Sequence, residues 1–289
     1  MKPDEKIDLH MHTTVSDGTD SPELIVVRAR EAGLGLFSVT DHDAVKAGRI
    51  IPPLLGAGDP AFVSGAEFSC RDEAGKYHIL GYGFDPDAGS MLQLVECGHS
   101  LRIRKVQARL DFLRSEFGFS FPEEELRRLF ALDNPGKPHI ANLMVRFGFA
   151  ESKEQAIRSF IDRIRFRSEY LRPEQAVTAI LEGGGIPVLA HPSYGDGGQL
   201  ILGEELEARV RRLMGFGLRG LEAFYSGFTP RMRNELVSLA ARCDLYVTAG
   251  SDYHGKNKLV CLGDTGLDDA AEWPEGLKRF VNDAALIRK

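Results

Sequence analysis

Ile7-Asp8-Leu9-His10-Met11-His12 is the stretch on which the fold turns. Ile7 to Met11 has the composition of a short buried strand. Side chains alternate along an extended chain, so the H-x-H spacing puts both imidazoles on one face at the strand's end. Similar runs recur at Leu36 to Thr40, Ala61 to Phe68, Tyr77 to Phe84, Ile186 to Ala190, Leu218 to Phe224 and Leu245 to Ala249, making seven candidate strands. Helix signals lie between several of them: Ser21-Pro22-Glu23 opens one helix and Gly183-Gly184-Gly185 stops another. This alternation predicts an α/β protein with a mostly parallel, buried sheet. A length of 289 residues suits a single α/β barrel, which needs roughly 250.

From about His99 to Ser168 no strand-like run appears, and apolar residues fall at helical spacing through Val106, Leu110, Leu113 and Phe117. The sequence therefore divides into a barrel, residues 1–98 and 169–289, and a helical insertion, 99–168. The insertion carries 14 Lys and Arg against 9 acidic residues, whereas the whole chain has a net charge of −6. Arg102, Lys105 and Arg109 share one face of its first helix. An acidic barrel disfavours an extended nucleic-acid track.

The composition, 43% hydrophobic and 27% charged, supports a large core and excludes a disordered chain. No run approaches the roughly 18 apolar residues of a membrane span, and Met1 to Lys6 carries four charges, so a cytoplasmic location is expected. Cys70, Cys97, Cys243 and Cys261 form no C-x-x-C pair and are expected to be buried thiols.

Six of the eight histidines, His10, His12, His42, His78, His191 and His254, are expected at or just beyond the C-terminal ends of strands, the edge where active sites of parallel α/β folds collect. Carboxylates come with them: Asp17 after His12, Asp41 and Asp43 around His42, Glu67, and Asp252 two before His254. Mixed imidazole and carboxylate donors suit zinc, iron(II) or manganese(II). The candidates are too many for one ion. Two or three ions sharing a carboxylate would use them, an arrangement suited to phosphate-ester hydrolysis. Gly250-Ser-Asp-Tyr-His-Gly255-Lys256-Asn257 fails as a phosphate loop, because Asn257 replaces the Ser or Thr and Asp252 would face the phosphates. No G-x-S-x-G elbow is present.

At His10-Met11-His12, Thr40-Asp41-His42-Asp43, Gly65-Ala66-Glu67, His191-Pro192 and Ser251-Asp252-Tyr253-His254 the chain resembles the PHP (polymerase and histidinol phosphatase) family over nearly its whole length. The resemblance implies a distorted (β/α)7 barrel and a trinuclear metal site. One ion would be held by His10, His12, Glu67 and Asp252, a second by Glu67, His78 and His191, and a third by Asp17, His42 and His254. In relatives acting on nucleotides the insertion carries a Gly-Arg-Pro-His-like motif, which here reads Gly136-Lys137-Pro138-His139. The Arg-to-Lys change keeps charge and loses bidentate phosphate binding. The stretches Ile161 to Tyr170 and Phe224 to Thr229 resemble the branch that opens phosphoribosyl 1,2-cyclic phosphate and removes the remaining phosphate, giving ribose 5-phosphate.

The expected activity is therefore metal-dependent hydrolysis of a small phosphorylated ribose or nucleotide. Lys137, His139, Arg163, Arg167 and Tyr225 are the candidate substrate contacts. The alternatives are a 3′,5′-nucleotide bisphosphate phosphatase, an exonuclease on short oligonucleotides, and a binding module with structural ions.

Overall fold

The computed structural model describes residues 6–164, 170–195, 199–267 and 273–288. Among the described residues eight strands form two sheets. The first joins β1 (Lys6–Asp8), β2 (Leu34–Phe37) and β3 (Ala61–Phe62), all parallel. The second has the order β4 (Gly65–Asp72), β5 (Gly75–Tyr82), β6 (Ile186–Leu189), β7 (Gly220–Tyr225) and β8 (Tyr246–Gly250). The stretch read as one strand, Ala61 to Phe68, is broken between β3 and β4. A few backbone bonds span the gaps between the sheets. Leu9 donates to Ala249 and His12 to Tyr253 on one side, and Glu67 donates to Asp41 on the other.

The sheet is less parallel than expected, since β4–β5 and β5–β6 are antiparallel. The cause is local. Asp72 accepts from the Ala74 amide and Gly75 adopts φ 135°, so the chain turns back in two residues, and a tight hairpin can only pair antiparallel. The reversal also explains His78. It lies near the N-terminal end of β5, and because β5 runs backward this end comes to the same edge as His191 just after β6.

Helices α1 (Pro22–Glu31) and α2 (Ala47–Ile50) follow the first two strands. Between β5 and β6 come α3 (Gly89–Phe117), α4 (Glu123–Phe130), α5 (Lys137–Arg146), α6 (Lys153–Gln155) and α7 (Pro173–Glu182). Then α8 (Gly203–Met214), α9 (Pro230–Arg242) and α10 (Glu275–Asp283) alternate with the last strands. The helical stretch begins ten residues before the expected boundary. Met91, Leu94 and Leu101 of α3 pack into the main core, while Val106, Leu110 and Leu113 join Leu129, Ile140, Met144 and Ile161 in a separate one. Thus α3 spans two cores, and the cationic side chains Arg102, Lys105 and Arg109 lie along the junction.

Of the cysteines, Cys70 is buried as expected, but Cys97 and Cys261 are exposed. Both stand outside the packed faces of strands and helices, where a thiol has no core to fill. Among the described residues no helix is long and apolar enough to cross a membrane.

Candidate active site

Glu67, at the start of β4, is the centre of the site. Its Oε2 faces His10 Nε2 at 3.4 Å, His12 Nε2 at 3.3 Å and His42 Nδ1 at 3.1 Å. Its Oε1 faces His78 Nδ1 at 2.8 Å and His191 Nε2 at 3.2 Å. One carboxylate thus serves two groups of imidazoles, one on each oxygen. Asp252 Oδ1 joins the first group, 3.6 Å from His10 Nε2 and 3.4 Å from His12 Nε2. His254 Nε2 is 3.3 Å from Asp17 Oδ1, and the His42 ring is close to the same carboxylate.

Ligand atoms lie within 4.8 Å of one another in three sets: His10, His12 and Glu67; His42, Glu67 and His78; and His12, Asp17, His42 and His254. These sets hold seven residues, and with His191 beside Glu67 and Asp252 beside His10 and His12 the fold brings together all nine singled out in the sequence. It also gives His12 and His42 places in more than one set.

The side chains fit bound cations better than they fit each other. His10 Nε2, His12 Nε2 and His42 Nδ1 are buried ring nitrogens without a hydrogen-bond partner, all turned toward the Glu67 carboxylate. Buried polar atoms are normally satisfied, and nitrogens facing carboxylate oxygens suit several divalent ions.

Without ions, burial alone would lower the His12 imidazolium, but Asp252, Glu67 and Asp17 outweigh it and push its pKa up to about 10. At His42 and His78 burial wins despite Glu67, leaving them near 3 and 4. Burial would raise Glu67, yet His78, His42 and His10 hold it well below the ordinary carboxylate range. The carboxylate is thus held as an anion and His42 and His78 present neutral rings, forms that coordinate a metal, whereas His12 would give up its proton to a bound cation.

Residues that the sequence reading did not assign hold this arrangement in place. Glu222, fully buried in β7, accepts from His10 Nδ1 at 2.8 Å and from the His191 amide at 2.7 Å. This fixes the tautomer and points His10 Nε2 inward, as outer carboxylates do around metal-bound imidazoles. The available signal was a carboxylate in a buried strand, which is rare unless paired. Asp8 in β1 accepts from Ser251 N and Oγ and from the Gly263 amide; burial pushes its pKa up to about 6 against those bonds. Asp41 anchors Thr13 and Ser16, so it braces the loop carrying Asp17. Gly250 has no alternative: a Cβ there would sit 2.2 Å from His10 Cβ and 2.5 Å from Glu222 Oε1. His191, Asp43 and Asp252 take positive φ values of 29°, 48° and 59°, backbone strain of the kind that collects at functional sites. Asn257, where a phosphate loop would have Ser or Thr, donates to the Asp17 carbonyl and accepts from Lys153 of α6.

A cavity of about 240 Å³ opens beside His42, His78 and Asp17. Its wall carries Lys76, Arg102, Lys105, Arg109, Lys137 and Tyr170. Arg102 is paired with Asp43, next to His42 in sequence, and Lys137 with Asp162. Lys105 Nζ sits 3.6 Å from the Tyr170 ring centroid. Burial, reinforced by Arg102, Arg109 and Lys76 against Asp43, pushes its ammonium down to about 7.

The five expected substrate contacts fare differently. Lys137 lines the cavity. His139 does not; its Nδ1 accepts the Gly136 amide at the start of α5. Arg163 packs over Phe117, 5.6 Å from the ring centroid, and is also absent from the cavity wall. Arg167 lies outside the described residues. Tyr225 donates to Asp252 Oδ2 at 2.9 Å, so it reaches the site through a carboxylate.

No family model matches the chain. A phosphoribosyl 1,2-cyclic phosphate 1,2-diphosphodiesterase of Eggerthella lenta is 31% identical over 268 residues, covering 86% of this chain and 94% of its own. A 5′-3′ exoribonuclease of Haemophilus influenzae is 27% identical over 256 residues, covering 86% and 90%. A 3′,5′-nucleoside bisphosphate phosphatase of Chromobacterium violaceum is 27% identical over 266 residues, covering 86% and 87%. A solved Bifidobacterium adolescentis structure, provisionally described as a metal-dependent phosphoesterase, superposes with a TM-score of 0.80 at 26% identity, covering 97% of this chain and 96% of that one.

Proposed function

Because the chain belongs to the PHP family of metal-dependent phosphoesterases, we propose that it hydrolyses phosphate esters of a compact phosphorylated ribose that carries a second phosphate. Phosphoribosyl 1,2-cyclic phosphate, converted to ribose 5-phosphate and phosphate, is the substrate this reading favours. The observation that carries it is the cationic cavity. Five basic side chains and a tyrosine share one wall directly beside His42 and His78. Burying Lys105 beside other cations is costly, as its lowered pKa records, and a dianion would relieve that cost. At about 240 Å³ the space is below the roughly 300 Å³ at which pockets for drug-sized ligands begin, so it suits a sugar phosphate better than an oligonucleotide.

Divalent cations, when bound by the nine histidines and carboxylates, would acidify water to a pKa near 7 and neutralise phosphate charge. The chain's own residues do the rest. Glu67, which faces both groups of imidazoles, would be shared between two ions, and His191, Asp17 and His254 would complete the sets. Arg102, Lys105 and Lys137 would hold the phosphate that is not cleaved, keeping the sugar in place between two successive hydrolyses. The two sheets then read as arcs of one distorted (β/α)7 barrel, and residues 99–168 as its substrate-capping insertion.

The test is phosphate release by manganese-loaded protein from phosphoribosyl 1,2-cyclic phosphate, adenosine 3′,5′-bisphosphate and a short oligoribonucleotide. Fastest turnover of the cyclic phosphate supports the reading, fastest turnover of the bisphosphate makes it a nucleotide phosphatase, and turnover of the oligonucleotide alone replaces it with an exonuclease. Chelation is expected to abolish turnover while circular dichroism stays unchanged. Loss of fold instead would mark the ions as structural.

A further inference from the structure

Asp252 divides its two oxygens. Oδ1 faces His10, His12 and His254, the last at 3.4 Å from Nδ1. Oδ2 faces outward, where it accepts from the Tyr225 hydroxyl and from the ammonium of Lys258. Lys258 Nζ also donates to the Tyr225 hydroxyl at 2.9 Å and lies 5.1 Å from its ring centroid. The residue follows the short 3₁₀ turn Gly255–Asn257, and about a third of its side chain is open to solvent.

A fixed positive charge is out of place here if its only task is to hold a metal ligand. An ammonium on one oxygen of a carboxylate and a cation on the other repel each other, which weakens metal binding. A neutral donor would orient Asp252 without that cost, and Tyr225 already supplies one. An anionic substrate changes the balance. Once Asp252 shares its charge with a bound cation, Lys258 has less hold on Oδ2 and a long stem on which to turn. Arg102, Lys105, Arg109 and Lys137 all lie on the His42 and His78 side. Lys258 stands instead beside Asp252, and neither residue belongs to that cavity wall.

We propose that Lys258 is a catalytic residue that contacts the phosphate being hydrolysed and neutralises charge on its oxygens from the Asp252 side. This rests on metal-dependent phosphoesterase chemistry and not on which ester is cleaved.

The proposal predicts effects of opposite sign on metal and on anion. In Lys258→Met, manganese(II) binding, followed by the electron paramagnetic resonance of the free ion, should be as tight as in the wild type or up to roughly fivefold tighter. Inorganic phosphate should bind the manganese-loaded variant about tenfold more weakly, and turnover should fall by about a hundredfold, the scale of losing one donor to a developing oxyanion. Lys258→Arg should recover most of both losses. Manganese binding weakened tenfold with phosphate affinity unchanged would overturn the proposal and leave Lys258 as a tie for Asp252; unchanged turnover in Lys258→Met would overturn it too. The wild type is the separate control. If it is loaded with manganese yet hydrolyses no phosphate ester, the phosphoesterase reading fails and the proposal with it.

Discussion

The histidine basin and the cationic cavity share a wall at His42 and His78, yet they are built in opposite ways. In the basin His10, His12, Glu67 and Asp252 are buried, and the arrangement is locked from behind: His10 by Glu222, the Asp17 loop by Asp41, and the Ser251 turn by Asp8. In the cavity the cations sit on α3, on α5 and at the start of β5; Lys137 pairs with the exposed Asp162 and Arg102 with the buried Asp43. The basin fixes geometry and the cavity supplies charge, so substitutions in the first should remove activity while those in the second should shift affinity.

Glu67→Gln tests this contrast most severely. It removes the charge that both groups of imidazoles face. Turnover should fall by well over the roughly hundredfold that partners of metal ligands reach, with loss of bound metal by mass spectrometry. Glu222→Gln keeps the shape and removes the charge behind His10. A loss of about tenfold to a hundredfold in metal affinity, measured by competition with a chelator, is expected. An effect on substrate KM alone would erase the distinction between the two regions.

The contrast also explains what could be read from the sequence. Candidate ligands announce themselves by residue type, since His-x-His after an apolar run has few other uses. Seven of the nine candidates fall in the three close sets for that reason, and His191 and Asp252 flank them. Braces such as Glu222 and Asp8 look like stray charges inside strands, and only the paired backbone brings them to His10 and Ser251. The antiparallel β5 was legible in principle from the turn at Asp72 to Gly75, but α/β alternation on either side favoured a parallel reading. The cationic wall lay between these extremes. Arg102, Lys105 and Arg109 share a helix face in sequence, but which face meets the cavity depends on how α3 crosses from one core to the other.

A smaller effect should separate the cavity from the basin by pH. Lys105 has a folded pKa near 7, below the ordinary value of 10.5, and the charged groups around it are Arg102, Asp43, Arg109 and Lys76, with Tyr170 beneath. The unfolded chain therefore binds the extra proton between about pH 7 and 10.5, so this residue's contribution to stability rises with pH across that window and its cost is complete below pH 7. An anion in the cavity restores the proton. Sulfate, whose charge does not change over this range, should raise the melting temperature more at pH 6.5 than at pH 9. Lys105→Met should flatten that difference. Equal protection at both pH values in the wild type would show that Lys105 does not face the bound anion.

The least effect belongs to Arg163, and it marks where the cavity ends. Its guanidinium lies over Phe117, at the aromatic edge of the insertion's own core. An exposed contact of this kind is worth about 0.5–1 kcal/mol, so Arg163→Ala should lower the melting temperature slightly and leave turnover and KM within about twofold. Charge within the insertion would then matter only where it borders His42 and His78. A tenfold rise in KM would instead mean that the insertion draws Arg163 inward when substrate binds, and the division between a rigid basin and a charged wall would become one between a rigid basin and a wall that moves.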